Sequence, residues 1–154
     1  MRFVVINGPN LNITEFTEKN HTATLDYNQM VEFVYQCCLQ LGIETEFYQS
    51  NHEGDLIDEI QTVQGRADGI IINSGGYAQS SVAILDALRM AGVPAVEVVL
   101  QDNTEQDPFR KQDFTALGCQ ARFVGEGIQG YVHAAAYLAG FLRLDAQPGA
   151  HITS

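Results

Sequence analysis

Gly69-Ile70-Ile71-Ile72-Asn73-Ser74-Gly75-Gly76 is the stretch on which the fold turns. Three consecutive isoleucines show no polar alternation, so a strand built from them has apolar cover on both faces. The Asn-Ser-Gly-Gly that follows ends it, because these residues favour turns over pleated chain. Strands covered on both sides belong to parallel sheets, and parallel neighbours need crossovers long enough to hold a helix. Helix and strand are therefore expected by turns on either side.

The flanking sequence follows that expectation. Downstream, Ser80 or Ser81 can cap a helix bearing Val82, Leu85, Leu88 and Ala91, and Pro94 introduces a strand over residues 95–100. Upstream, Leu56, Ile57, Ile60 and Val63 give helical spacing within residues 54–64, after a strand over 44–48. Farther out, the β-branched run 2–6 stops at Asn7-Gly8-Pro9-Asn10. Val31, Val34, Cys38 and Leu41 mark a helix over 28–41 that Gly42 ends. Arg122-Phe123-Val124 is a short fifth strand, and residues 128–144 form a last amphipathic helix. Strands alternating with helices make an α/β unit with helices on both faces of the sheet. Residues 11–25 are polar and aperiodic. They read as a long loop of the kind that serves as a lid or binds a ligand.

One domain over residues 1–146 accommodates these elements, with a flexible tail at 147–154. The net charge of -11 excludes a nucleic-acid partner, which needs clustered Lys and Arg, yet one well-placed Arg can still hold a small anion. No apolar run suggests a membrane span and no signal-peptide pattern opens the chain, so the cytoplasm is the expected location. Cys37, Cys38 and Cys119 match neither a disulfide framework nor a zinc spacing, and Cys37 and Cys38 are expected to fill core. No four ligands converge, so no metal is expected. His52 and Glu53 adjoin at a strand end, where successive side chains point apart, and read as part of a turn. The glycines of residues 125–130 do not fit a dinucleotide loop.

In open parallel sheets, ligands bind beyond the carboxyl ends of the strands. The candidate site is therefore built from segments 7–10, 49–54, 73–81 and 101–110.

Those segments carry a further signal. Ile6-Asn7-Gly8-Pro9-Asn10-Leu11, Gln49-Ser50-Asn51-His52-Glu53-Gly54 and Ile71-Ile72-Asn73-Ser74-Gly75-Gly76-Tyr77 occur in order, followed by Ser81-Val82-Ala83-Ile84. Glu97-Val98, Phe109-Arg110 and Gly125-Glu126-Gly127-Ile128-Gln129-Gly130-Tyr131 complete the series. Together they resemble the signature segments of the type II 3-dehydroquinate dehydratases. The resemblance implies a flavodoxin-like three-layer sandwich around a five-stranded parallel sheet, assembled as trimers or dodecamers. It also implies the family's reaction, an anti elimination of water from 3-dehydroquinate, without metal or cofactor. In that family a loop tyrosine, kept ionised by a loop arginine, removes a proton beside a ketone. A histidine two places after the strand-four glutamate then protonates the departing hydroxyl of the enolate. Carried onto this chain, Asn10 would orient the enolate-stabilising water, and Asn73, Gly75 and Gly76 would form the substrate-contacting turn. Asp86 would reach a neighbouring subunit's ligand, Glu97 would support the site, and Arg110 would bind hydroxyls. The backbone amides of Leu100 and Gln101 would hold the carboxylate.

Several family positions differ. The loop over 11–25 holds neither Arg nor Tyr, Val99 stands where the histidine is expected, and Gln79 replaces a substrate-binding histidine. An arginine of the following helix has become Leu85. Lys19 and His21 in the loop, and Glu53, are the candidate replacements for the proton-transfer groups. The sequence thus leaves three readings: a diverged lyase acting on a small cyclic hydroxy-carboxylate, a non-catalytic binding or scaffold protein, and a working dehydratase with substituted groups. For Arg110 the alternative is a surface ion pair with Asp107 or Asp113.

Overall fold

The computed structural model describes residues 1–18 and 23–146. Lys19, His21 and the tail at 147–154 lie outside them, so the expectations placed there have no structural counterpart. The sheet holds five parallel strands, β1 (Arg2–Asn7), β4 (Glu44–Gln49), β5 (Gly69–Asn73), β6 (Ala95–Val99) and β7 (Arg122–Val124), in the order β4-β1-β5-β6-β7. Between them run α1 (Tyr27–Gln40), α2 (Glu53–Gln61), α3 (Val82–Met90), the short α4 (Phe114–Leu117) and α5 (Gln129–Asp145). This is the flavodoxin-like sandwich expected from the sequence.

The three isoleucines show why. Ile71 points with Phe3, Val5, Val96 and Val98 into a core closed by α1 and α5, through Met30, Val34, Tyr131 and Leu138. Ile70 and Ile72 point the other way with Val4 and Ile6, against Leu56 and Ile60 of α2 and Ile84 and Leu88 of α3. All three are fully buried. Among the described residues, no helix is long and apolar enough to cross a membrane.

Several local expectations are corrected. The segment after β1 is more than loop. Leu11–Ile13 makes a 3₁₀ turn, and β2 (Phe16–Thr17) pairs antiparallel with β3 (Thr24–Leu25). Two-residue strands are too short to leave a periodic signal, and buried Phe16, its ring 6.4 Å from that of Tyr27, anchors the ribbon. α1 starts one residue early because Asp26 and Gln29 form a reciprocal capping box, with bonds of 2.8 and 3.0 Å. Ser81, and not Ser80, caps α3. Val82 is half-exposed, and Ile84 takes its place on the apolar face. Leu41 is likewise exposed, outside the core face assigned to it. Cys38 fills core, where burial pushes its thiol up to about 11, but Cys37 is only partly buried. α4 escaped notice because four residues cannot display a helical period.

One contact between loops sets the shape of the site. Gly8 N–H donates to the Asn73 carbonyl at 2.7 Å, tying the turn after β1 to the end of β5. A Cβ at position 8 would stand 2.5 Å from the Ser74 carbonyl oxygen, which is immovable backbone, so only glycine permits the approach.

Candidate active site

At the carboxyl ends of β5, β6 and β7 lies a cavity of about 370 Å³, roofed by the segment 11–17. Its position follows from strand order. β5 is the middle strand, flanked by β1 and β6, and β4 is the edge strand beyond β1, so the turns after β5 and β6 and the ribbon after β1 meet over the middle of the sheet. Segment 49–54, after β4, is too far along the sheet to line the cavity. It supports the neighbouring loops instead. Gln49 Nε2 donates to the Gly8 carbonyl at 3.1 Å, Asn51 Oδ1 accepts from Asn10 N–H at 2.9 Å, and the Tyr77 hydroxyl donates to the Asn51 carbonyl at 2.8 Å. Glu53 opens α2 and does not border the cavity, which removes it as a replacement acid or base.

Of the residues named from sequence, Asn73, Gly75, Gly76, Gln79, Glu97, Val99, Leu100, Gln101 and Arg110 all face the cavity. Asn10 does not line it. Its left-handed backbone (φ 69°) turns the chain into the 3₁₀ segment. The Asn73 amide is already engaged within the protein: Nδ2 donates to the Tyr131 hydroxyl at 3.2 Å, and Oδ1 accepts from Gly75 N–H at 3.2 Å. Tyr131 in turn donates to Asn7 Oδ1 at 2.6 Å, so a fully buried phenol locks β1, β5 and α5 together beneath the site. Asp86 is exposed on α3 and contributes nothing to the cavity of its own chain.

Arg110 sits on a 3₁₀ turn (Pro108–Lys111). Its Nε donates to Asp107 at 3.0 Å and its Nη1 to Gln79 Oε1 at 3.2 Å, with the guanidinium 5.3 Å from the Phe109 ring. The ion pair with Asp107 is thus present, and it fixes a cation on the cavity wall. Asp113 is not its partner. That carboxylate accepts from Arg122 at 2.9 Å and, through Oδ1, from Ala116 N–H at the start of α4.

Arg122 was missed as a site residue. Glu97 and Arg122 are register partners on adjacent parallel strands, so their side chains leave the same face of the sheet. Arg122 Nε donates to Glu97 Oε1 at 2.7 Å. Val99 shares the parity of Glu97 and brings an isopropyl group to the cavity two residues nearer the mouth. Glu15 on the roofing segment is a further carboxyl at the cavity, beside Glu97, Asp102 and Asp113, that sequence reading passed over.

Burial pushes the Glu97 carboxyl up to about 8. The neighbouring Asp113 adds to the rise, and Arg122 opposes it. An unfolded glutamate titrates near 4.5. Between the two values the unfolded chain releases a proton that the folded chain keeps, so stability is fully present below about 4.5 and is lost as pH rises towards about 8. Thermal melts followed by circular dichroism are expected to show this decline. Glu97→Gln, which cannot ionise, is expected to flatten it, a difference on the order of a few kcal/mol. Equal pH slopes for the two proteins would remove Glu97 as the titrating group.

Residues 1–139 match the family model described as dehydroquinase class II. The chain belongs to the class II dehydroquinase family. It is 40% identical over 141 residues to the 3-dehydroquinate dehydratase of Fusobacterium nucleatum, covering 90% of this chain and 96% of that protein. It is 38% identical over 132 residues to the enzyme of the same name from Caldicellulosiruptor saccharolyticus, covering 85% and 91%. The crystal structure of a type II dehydroquinase from Butyrivibrio crossotus superposes with a TM-score of 0.82 at 40% identity, covering 90% of this chain and 97% of that one. In this dehydroquinase-family chain the cavity is bordered by Glu97, Val99, Asp113 and Arg122.

Proposed function

We propose that the protein is a hydro-lyase of the dehydroquinase type that acts on a small, cyclic hydroxy-carboxylate and turns over 3-dehydroquinate itself only slowly. The observation that carries this reading is the composition of the cavity wall. Two guanidinium groups, Arg110 and Arg122, and the backbone past the end of β6 at Leu100 and Gln101 line one cavity with the carboxyls Glu15, Glu97, Asp102 and Asp113. Cations and backbone donors suit a carboxylate and hydroxyls, and carboxyls in different surroundings suit proton transfer. Glu15, exposed on the roofing segment, is assigned as the base that takes the carbon proton.

Slow turnover of 3-dehydroquinate follows from Val99, which cannot donate a proton from the position where the resemblance places an imidazole. A second reading, a non-catalytic binding protein, draws support from the Asn73 amide, whose bonding to Tyr131 and Gly75 leaves it little capacity for a ligand. Calorimetric titration with quinate tests the common element. Binding is expected, and its absence would remove the hydroxy-carboxylate class from both readings.

Assembly as a trimer, or a multiple of it, is part of the proposal, with exposed Asp86 reaching a neighbour's pocket. Sedimentation is expected to give a trimer or dodecamer. A stable monomer would leave Asp86 an ordinary surface carboxylate.

A further inference from the structure

Glu97 is 1% exposed at the cavity wall. Its Oε1 accepts from Arg122, but Oε2 is buried and, among the described residues, meets no donor. Beside it, the Asp113 carboxyl accepts through Oδ2 from the same Arg122 guanidinium at 2.9 Å. Two carboxylates crowded on one cation repel each other, and one proton held between them relieves the repulsion and turns one carboxyl into a donor. The charge count agrees, since two carboxyls with one proton carry a single negative charge, which Arg122 matches while bonded to both.

The other titratable or charged groups around the pair are few. Cys119, just past α4, feels Glu97, Asp113 and Arg122, and burial raises its thiol. Asp102, in the loop after β6, acts on Arg122 and is itself held by Thr104. On β5 the register partner of Glu97 is Ile72, which carries no charge.

We infer that Glu97 is the catalytic acid of this pocket, delivering to the ligand's departing hydroxyl the proton it shares with Asp113, with Asp113 and Arg122 as positioning residues. The inference rests on the hydro-lyase reading above. In the step, an enolate has formed after the base took the carbon proton. The C–O bond then breaks with its electron pair going to oxygen, the enolate pair closes the new C=C bond and restores the carbonyl, and the Glu97 proton completes a molecule of water. Glu97 is left as a carboxylate bonded to Arg122, and the proton first taken from carbon returns to the pair through solvent.

The test joins a spectroscopic titration to kinetics on the full-length protein. Infrared spectra at neutral pH are expected to show a protonated-carboxyl band that fades as pH rises through about 8 and is missing in Glu97→Gln. Quinate should shift that band. Residual turnover of 3-dehydroquinate should fall at least about 100-fold in Glu97→Gln, the usual worth of a general acid. The alkaline limb of the rate profile should move down in pH in Asp113→Asn, which removes a group raising Glu97, and up in Arg122→Gln, which removes one lowering it. A merely structural role would not move the two limbs in opposite directions. Asp113→Asn keeps the carbonyl that caps α4, so this arm does not depend on tolerance of a change at Glu97. Absence of the band, or turnover in Glu97→Gln equal to that of the parent protein, would overturn the inference and leave the hydro-lyase reading standing. A band that quinate does not shift, with no binding and no turnover, would sink the ligand class and the acid role together.

Discussion

Purified protein is expected to convert 3-dehydroquinate to dehydroshikimate several orders of magnitude more slowly than the roughly 1–1,000 per second of ordinary enzymes. Groups that act as a unit in catalysis fail together, and three departures coincide here. The segment over 11–25 holds no Tyr or Arg, and Val99 puts two methyl groups where a proton donor would stand. A carboxylate base such as Glu15 is intrinsically weaker than a phenolate, whose conjugate acid has a pKa of about 10. An acid at Glu97 approaches from a buried position one turn of the pleat below Val99, so proton delivery to a ring seated for an imidazole is geometrically less direct. The conjugated enone of the product absorbs in the ultraviolet, so turnover can be followed directly at high enzyme concentration. A rate of about one per second or more would place this chain among ordinary enzymes and refute the weight put on Val99.

Arg110→Ala should weaken quinate binding by about 1.5–3 kcal/mol, the usual worth of a hydrogen bond to a charged group. The same change should move thermal stability by well under about 1 kcal/mol, because the partners it loses, Asp107 and Gln79, are themselves part-exposed. Binding and folding therefore separate at this residue. Arg110→Lys should recover little. An ammonium is a point donor and cannot serve Asp107, Gln79 and a ligand at once, as the planar fork does. Calorimetry on the three proteins, alongside thermal melts, gives both quantities. If wild type binds quinate and Arg110→Ala binds it equally well, the ion pair with Asp107 is the whole role of Arg110. If stability falls with affinity, Arg110 acts through the loop it braces rather than on the ligand.

The sequence by itself determined the two-faced sheet. Residues 70–72 are apolar without a break, and that pattern is stable only between two layers of helix. It also determined which turns lie at the carboxyl ends of strands. Most residues singled out from those turns, Asn73, Gly75, Gly76, Gln79, Gln101 and Arg110, do line one cavity. Val99 was equally legible, since a missing functional group is a fact of composition. The tertiary structure alone decided which turns count. Segment 49–54 had the same polar, post-strand character as the others, yet β4 is the edge strand beyond β1, on the side away from β6 and β7, and its turn became a brace. The structure alone also assembled the cluster around Glu97. Arg122 lies 25 residues from Glu97, and nine from Asp113, on what reads as an ordinary short strand. Their meeting depends on the register of β6 against β7 and on a four-residue helix that turns Asp113 inward. Register is fixed by packing across the whole sheet, and desolvation by everything that covers it, so neither the pairing nor the raised Glu97 carboxyl has a local signal in the chain.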